Sequence, residues 1–259
     1  MKNSVTKHNI LFVITAALAL VATILFSVCG IKLSSDNIAN MLCVDLIQRT
    51  CLALFLIVAV WQSSVFSVGK PLVKGLLWST PCWLVAIANF PFGALLGGEA
   101  TVQRTDLLWV FFASCLLVGI TEELFFRGIV LDFVTEKMPS KPFGQVIVSS
   151  TVFALWHLTN LLFGADIGST LLQVGYSFLV GAMLATTMLV TRNIFLCIAI
   201  HALFDVGGSL VLILGNGVAW TTSFWIATVV CGVVCGIHVV CTLCKMKNNV
   251  VCEDSGKKV

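Results

Sequence analysis

Long apolar runs, separated by short polar segments, follow one another along most of the 259-residue chain. These runs are continuous rather than alternating, which is typical of membrane-spanning helices and not of β-barrel strands. They divide into eight spans, at roughly residues 10–31, 44–67, 75–97, 106–134, 143–163, 168–190, 193–214 and 218–244. We therefore predict an all-α fold, a polytopic membrane bundle of about eight transmembrane helices.

The whole chain, residues 1–259, is predicted to form a single integral membrane domain. The second span begins with Asp45 and Arg49, and the third contains Pro81 and Pro91. Prolines are tolerated in membrane helices, so we expect this span to be kinked. The polar residues 245–259 are predicted to form a flexible cytoplasmic tail.

The composition agrees with a membrane protein. Hydrophobic residues make up 59% of the chain, charged residues only 10%, and the mean hydropathy is +1.05. A soluble domain of this size does not have such a composition. The net charge is only +3, so no nucleic-acid partner is expected, and the lipid bilayer is the expected environment.

The Lys and Arg residues fall unevenly on the two sides of the predicted bundle. With eight spans both termini lie on one side, and eleven basic residues fall there: Lys2, Lys7, Lys70, Lys74, Lys137, Lys141, Arg192, Lys245, Lys247, Lys257 and Lys258. Only Lys32 and Arg104 fall on the other side. Cytoplasmic loops carry the excess of Lys and Arg, so we expect a plasma-membrane protein with both termini in the cytoplasm.

Span four holds three ionisable residues at membrane depth, Glu122, Glu123 and Arg127. Such residues are costly in a bilayer and are candidates for a functional site. Glu123 and Arg127 are four residues apart, so they share a helix face and can pair. Glu122 lies about 100° around the helix from Glu123, so it is free to face another group. A purely structural ion pair between helices is the alternative interpretation.

Two further spans carry polar residues at a similar depth. They are His157 and Asn160 in span five, and His201 and Asp205 in span seven. At 1.5 Å per residue, the side chains of Glu122, His157, His201 and Asp205 start about 12 to 21 Å from the cytoplasmic ends of their helices. Three separate helices therefore place polar side chains in one layer near the middle of the bilayer.

The spacing within these spans brings particular residues onto common faces. Phe153, His157 and Asn160 follow one another at four- and three-residue intervals, so Phe153 and Asn160 are expected to shape the surroundings of His157. Asp205 follows His201 by four residues and can orient or polarise its imidazole. Together with Glu122, these groups supply a general base and electrophilic groups for attack of water on a carbonyl. The same nitrogen and oxygen atoms suit zinc.

The order of these residues resembles the three-motif pattern of the CPBP family. This is the CAAX-protease and bacteriocin-processing (Abi) group of intramembrane proteases, which includes the type II CAAX prenyl proteases. The motifs are Glu122-Glu123-x-x-x-Arg127, Phe153-x-x-x-His157 and His201-x-x-x-Asp205. Each motif alone is weak, but all three in order on three helices are specific. The resemblance covers about residues 106 to 208, within a catalytic core of about 106–214.

The resemblance implies a role for each matching residue. Glu122 matches the catalytic glutamate that activates water together with His157. His201 matches the second essential histidine, and Asp205 a position that carries Asn or Asp in the family. The Glu123 and Arg127 positions match the pair that shapes and holds the site. The resemblance leaves open whether a metal is required. A zinc ion would take its ligands from Glu122, His157, His201 and Asp205.

The function that follows is an intramembrane endopeptidase whose site opens to the cytoplasm. Its partner would be a peptide or protein substrate, either a prenylated CAAX-type peptide or a bacteriocin precursor. Two alternatives remain. One is a non-catalytic scaffold or bacteriocin self-immunity protein that has kept the fold. The other is a proton-coupled transporter that uses the same buried ionisable groups, although the chain has no internal repeat of the kind common in transporters.

Overall fold

The computed structural model describes residues 37–61, 64–69 and 71–256, with the isolated positions 14, 18 and 21. The predicted first span, 10–31, otherwise lies outside the described residues. The helices are α1 Ile38–Val60, α2 Leu72–Trp78, α3 Thr80–Ala88, α4 Phe92–Leu96, α5 Leu108–Phe125, α6 Leu131–Lys137, α7 Pro142–Trp156, α8 Ile167–Thr191, α9 Ile194–Leu214 and α10 Thr222–Gly256. A π-helical turn, Phe126–Val130, joins α5 to α6, and a 3₁₀-helix, His157–Phe163, follows α7.

Six helices of the described residues are long and apolar enough to cross a membrane. They are Ile38–Val60, Thr105–Lys137, Pro142–Leu162, Ile167–Thr191, Ile194–Leu214 and Thr222–Asn249. They correspond to the predicted spans two and four to eight, which confirms the all-α polytopic fold. The total of eight spans stays a prediction.

The predicted third span is present as three short helices, α2, α3 and α4, rather than one kinked helix. Pro81 lies in the first turn of α3, and Pro91 directly precedes α4. Proline lacks an N–H and disfavours helical geometry in the residue before it, so each proline marks the start of a new helix.

These short helices nevertheless follow α9 from one end to the other. At one end, the Gly69 N–H donates to the Arg192 carbonyl (3.2 Å). Midway, Asn89 Nδ2 donates to the Phe204 carbonyl (2.7 Å). At the other end, β1 (Ala100–Val102) pairs with β2 (Gly215–Gly217), which follows α9. A 21-residue helix such as α9 is about 31 Å long, close to the thickness of a hydrocarbon core, so the broken segment also traverses the bundle.

Helix α5 lies at the centre of the bundle, between α1 and α9. A close approach at Gly119 brings α5 against α9, because a Cβ on Gly119 would lie 2.9 Å from the Ile198 carbonyl oxygen. On its other side, α5 runs in the same direction as α1. Leu42 packs in one cluster with Phe111, and Leu56 packs in the next with Phe125.

The bundle has two chemically different ends. We call one of them the strand end, because it contains β1 and β2 together with the turn at Gly164. It carries one described basic residue, Arg104, which pairs with Asp106 at 2.8 Å. The opposite end, which we call the basic end, carries six described basic residues: Lys74, Lys137, Lys141, Arg192, Lys245 and Lys247.

Candidate active site

The close packing of α5 on α9 brings Glu123 to His201. Nδ1 of His201 donates a hydrogen bond to Glu123 Oε1 at 2.8 Å. The Glu123 side chain is fully buried, and that of His201 is 5% exposed. Since a carboxylate oxygen accepts, the hydrogen bond places a proton on Nδ1 and directs Nε2 of His201 away from Glu123.

The second oxygen of Glu123 faces Arg127, as the four-residue spacing predicted. Arg127 Nε lies 3.0 Å from Glu123 Oε2, and both side chains are fully buried. The alignment falls short of a hydrogen bond, and Nη1 and Nη2 of Arg127 also lack hydrogen-bond partners among the described residues. Its guanidinium carbon lies 4.9 Å from the centre of the Phe153 ring, a cation–π distance. The pair is held by charge and by packing.

His157 lies where α7 tightens into the 3₁₀-helix. Its backbone N–H donates to the carbonyls of Ala154 and Leu155 and not to that of Phe153. The Phe153 carbonyl can therefore accept a hydrogen bond from the imidazole. His157 Nδ1 lies 3.0 Å from that carbonyl oxygen. A carbonyl only accepts, so Nδ1 is the donor, and Nε2 of neutral His157 keeps its lone pair. The change of helix type therefore sets the tautomer.

Glu122 is free of the pair beside it, as expected. Its Oε2 is buried, lacks a hydrogen-bond partner within the described part of the chain, and lies 3.7 Å from His201 Nε2. The side chain as a whole is 17% exposed. A buried carboxylate oxygen without a partner is costly unless a water or ligand reaches it, and Glu122 lines a cavity from which one can do so.

Asp205 faces the same nitrogen of His201 from its own helix. Its Oδ2 lies 3.6 Å from His201 Nε2, and the side chain is 25% exposed. We expected Asp205 to orient or polarise the imidazole. Glu123 makes the orienting hydrogen bond to Nδ1, and Asp205 is a second carboxylate beside Nε2, which Glu122 also approaches.

The two residues that we expected to shape the site lie next to it. Phe153 is buried and presents its ring edge-to-face to His157 (centroids 5.2 Å apart) and to His201 (5.8 Å). Asn160 Nδ2 donates to Gln173 Oε1 at 2.8 Å, which ties the 3₁₀-helix to α8. Gln173 was not among the sequence-based candidates.

A cavity of about 490 Å³ opens onto these groups. Its acidic, basic and histidine lining residues are Asp45, Arg49, Glu122, His157, His201 and Asp205. The first two lie on α1, outside the segment that carried the motifs, and Arg49 Nε donates to Asp45 Oδ1 at 2.8 Å. The sequence analysis places this pair only at the start of the second span. Two charges four residues apart in an apolar span are a signal that could have placed them in the site.

A second cavity, of about 410 Å³, adjoins the first and shares His157, Gln173, His201, Asp205 and Ser209 with it. Its remaining walls are mainly apolar and aromatic, and include Leu172, Phe204, Leu212, Trp220, Phe224 and Trp225. The candidate catalytic groups therefore lie where a polar cavity meets an apolar one.

Both cavities extend from the catalytic groups toward the strand end. The first reaches Met41, Phe111 and Ile213, and the second reaches Ala165 and Trp220. We expected the basic end to be cytoplasmic and the site to open to the cytoplasm. These two expectations conflict in the structure, because the cavities extend away from the basic end.

A zinc site formed by Glu122, His157, His201 and Asp205 would require a convergence of their side chains. A protein zinc site needs three or four N, S or O ligands that converge on one point. Within residues 37–61, 64–69 and 71–256, no group of three or more His, Cys, Asp or Glu side chains could hold a metal ion. The four residues proposed as ligands do not fit a zinc site in this arrangement, and we assign no step to zinc.

The fold and the site together define an integral membrane protein with a buried glutamate–histidine centre at the junction of two cavities. Residues 103–207 match the model of the family described as type II CAAX prenyl endopeptidase Rce1-like. The match confirms, over these residues, the resemblance to CAAX proteases that the three motifs carry. The matched family implies a membrane-embedded peptide hydrolase that acts on a peptide or protein substrate. No curated protein and no solved structure matches the chain.

Proposed function

We propose that the protein hydrolyses a peptide bond with a water molecule activated by Glu122. The observation that carries this proposal is the environment of Glu122 Oε2. This oxygen is buried without a hydrogen-bond partner among the described residues, and Glu122 lines the same cavity as His157 and His201. A carboxylate held in this way is suited to bind a water and take a proton from it.

Glu122 and His157 can carry out the proton transfers that hydrolysis of a peptide bond requires. Glu122 takes one proton from water while the water oxygen bonds to the carbonyl carbon of the substrate. His157 Nε2, which carries a lone pair, accepts the other water hydrogen in a hydrogen bond and so orients the nucleophile. Glu122 then returns the proton to the amide nitrogen, the C–N bond breaks, and a carboxylic acid and an amine leave.

His201 is proposed to stabilise the negative charge that develops on the carbonyl oxygen. Its Nδ1 is committed to Glu123, so its Nε2 is the atom aimed at the cavity, between Glu122 and Asp205. When His201 carries a second proton, Nε2–H is a preorganised donor in a site with little water.

The adjoining apolar cavity is proposed to hold the apolar part of the substrate. Its aromatic and aliphatic walls suit a lipid chain or large hydrophobic side chains, because burying such groups is the main driving force of binding in a concave site. The scissile bond would then lie at the junction of the two cavities, beside His157 and His201.

The distribution of charge supports an orientation for this site. The described residues carry six Lys or Arg at the basic end and one at the strand end, and an excess of Lys and Arg marks the cytoplasmic side. We therefore place the basic end in the cytoplasm, and the cavities on the opposite side of the membrane. This orientation favours a peptide presented from the non-cytoplasmic side over a cytoplasmic prenylated protein.

Purified full-length protein in detergent tests the chemistry independently of orientation. The probes are a quenched fluorescent peptide that ends in S-farnesylcysteine and three further residues, the CAAX arrangement, and a library of unmodified peptides read by mass spectrometry. We expect cleavage by the wild type and a loss of roughly 10²- to 10⁴-fold in Glu122→Gln, the usual range for a general base. Glu99→Gln, a change at an exposed glutamate, is the matched control.

The same assay separates the proposal from its alternatives. A transporter or a non-catalytic immunity protein would leave every peptide intact. An undiminished rate in Glu122→Gln would likewise contradict the assignment of the base.

A further inference from the structure

We propose that Arg49 binds the C-terminal carboxylate of the peptide substrate and so limits cleavage to bonds a few residues from the C-terminus. This inference rests on the proposed hydrolase function and adds to it a recognition site on α1. Helix α1 lies outside residues 103–207, the segment that matches the family.

Arg49 is placed and oriented to meet an anion. It is the only Lys or Arg among the described residues that line the first cavity, and its side chain is 31% exposed. Its Nε donates to Asp45 Oδ1 at 2.8 Å, which fixes one edge of the guanidinium. A guanidinium has five N–H donors, and within the described residues its outer edge makes no hydrogen bond. That edge matches a carboxylate in a two-point contact.

The packing of α1 on α5 sets the distance between Arg49 and the catalytic groups. Leu42 packs at the level of Phe111, and Leu56 at the level of Phe125. Arg49 is midway between the two leucines and therefore lies near the level of Val118, about 6 Å along the bundle from Glu122. Packed helices are about 8–10 Å apart, so the separation is roughly 11 Å. An extended peptide covers this distance in about three residues.

The charges of the cavity explain why a carboxylate would need such a residue. Asp45, Glu122 and Asp205 also line it, and without a cation these carboxylates would repel a negatively charged chain end. The cation is on the strand-end side of Glu122, toward which the cavity extends. A peptide whose carboxylate reaches Arg49 therefore places a bond near its C-terminus at Glu122, with the preceding segment directed to the apolar cavity.

The test compares two forms of the farnesylcysteine peptide, one with a free C-terminal carboxylate and one with a C-terminal amide. For the wild type we expect kcat/KM to be about 10- to 100-fold higher on the acid than on the amide, the effect of losing a charge-assisted hydrogen bond. Arg49→Gln should lower kcat/KM on the acid by a similar factor and change the amide less than threefold. Arg49→Lys should keep part of the preference, and Arg104→Gln, at a paired arginine of the strand end, should keep all of it.

Equal rates of the wild type on acid and amide would overturn the proposal, as would an Arg49→Gln variant that loses the same factor on both. The wild-type comparison needs no variant, so it decides the question even if Arg49→Gln folds poorly. Loss of cleavage of both peptides in Glu122→Gln checks the hydrolase function separately.

Discussion

Glu123 connects the charge of Arg127 to the imidazole of His201. One carboxylate oxygen lies 3.0 Å from Arg127 Nε, and the other accepts the hydrogen bond from His201 Nδ1 at 2.8 Å. Glu123 therefore has a different function from Glu122, the proposed catalytic base beside it: Glu123 positions His201. Because both of its partners are buried, we expect the loss of its charge to destabilise the fold.

Glu123→Gln leaves the buried Arg127 without a counter-charge. An uncompensated buried charge costs about 3–5 kcal/mol, so we expect a Tm lower by on the order of 10 °C in thermal unfolding of the detergent-solubilised protein. The double variant Glu123→Gln/Arg127→Met removes both charges and should recover at least half of the loss. Glu122→Gln, the change of the neighbouring residue, is the control and should change Tm little. Equal losses in the single and double variants would show that the pair does not hold the fold.

The relations that spacing along one helix determines could be predicted from the sequence. Glu123 and Arg127 share a face as expected, and Asp205 lies beside His201. The hydrogen bond between Glu123 and His201 joins residues 78 positions apart. It depends on the close approach of α5 and α9 at Gly119, which no periodicity shows.

The same reasoning explains which parts of the fold were not foreseen. The prolines of the third span predict a kink. The three short helices that are found there follow α9 because of tertiary contacts, such as the hydrogen bond from Asn89 to Phe204, which the sequence does not show. The charges of Asp45 and Arg49 were visible, but their position in the cavity depends on how α1 packs against α5. The local sequence pattern thus predicts where helices form and which residues share a helix face. Which faces pack against each other is known only from the structure.

Two substitutions of His157 distinguish the functions of its two ring nitrogens, Nδ1 and Nε2. In His157→Asn the amide nitrogen replaces Nδ1 and can still donate to the Phe153 carbonyl, but nothing replaces Nε2. In His157→Gln an amide atom lies near the position of Nε2, while the helix-end hydrogen bond, worth about 1 kcal/mol, is lost. If Nε2 orients the water, Asn should lower kcat by about 10²-fold or more with Tm unchanged, and Gln should be the more active of the two. The reverse order of activity would assign the function to Nδ1.

Asp205→Asn tests whether the second carboxylate beside His201 is a metal ligand. Glu123 already orients the imidazole, so Asn, which keeps the size of the side chain and can both donate and accept, should retain activity within about tenfold. Chelators should leave the wild type active, and metal analysis should find less than stoichiometric zinc. Carboxylate oxygens and not amides serve as zinc ligands. Stoichiometric zinc in the wild type, with a metal-free and inactive Asp205→Asn, would make the protein a metalloprotease and overturn this expectation.

Reporter fusions decide between the two conflicting expectations about orientation. The excess of Lys and Arg at the basic end predicts that this end is cytoplasmic, and the cavities extend toward the strand end. A reporter that is active only outside the cytoplasm should therefore be silent at residues 72, 139 and 250 and active near 101 and 166. A cytoplasmic reporter at the same positions serves as the control and should give the opposite pattern. Activity of the external reporter at 139 would place the basic end outside, and the cavities would then face the cytoplasm, where a prenylated C-terminal peptide would reach them directly.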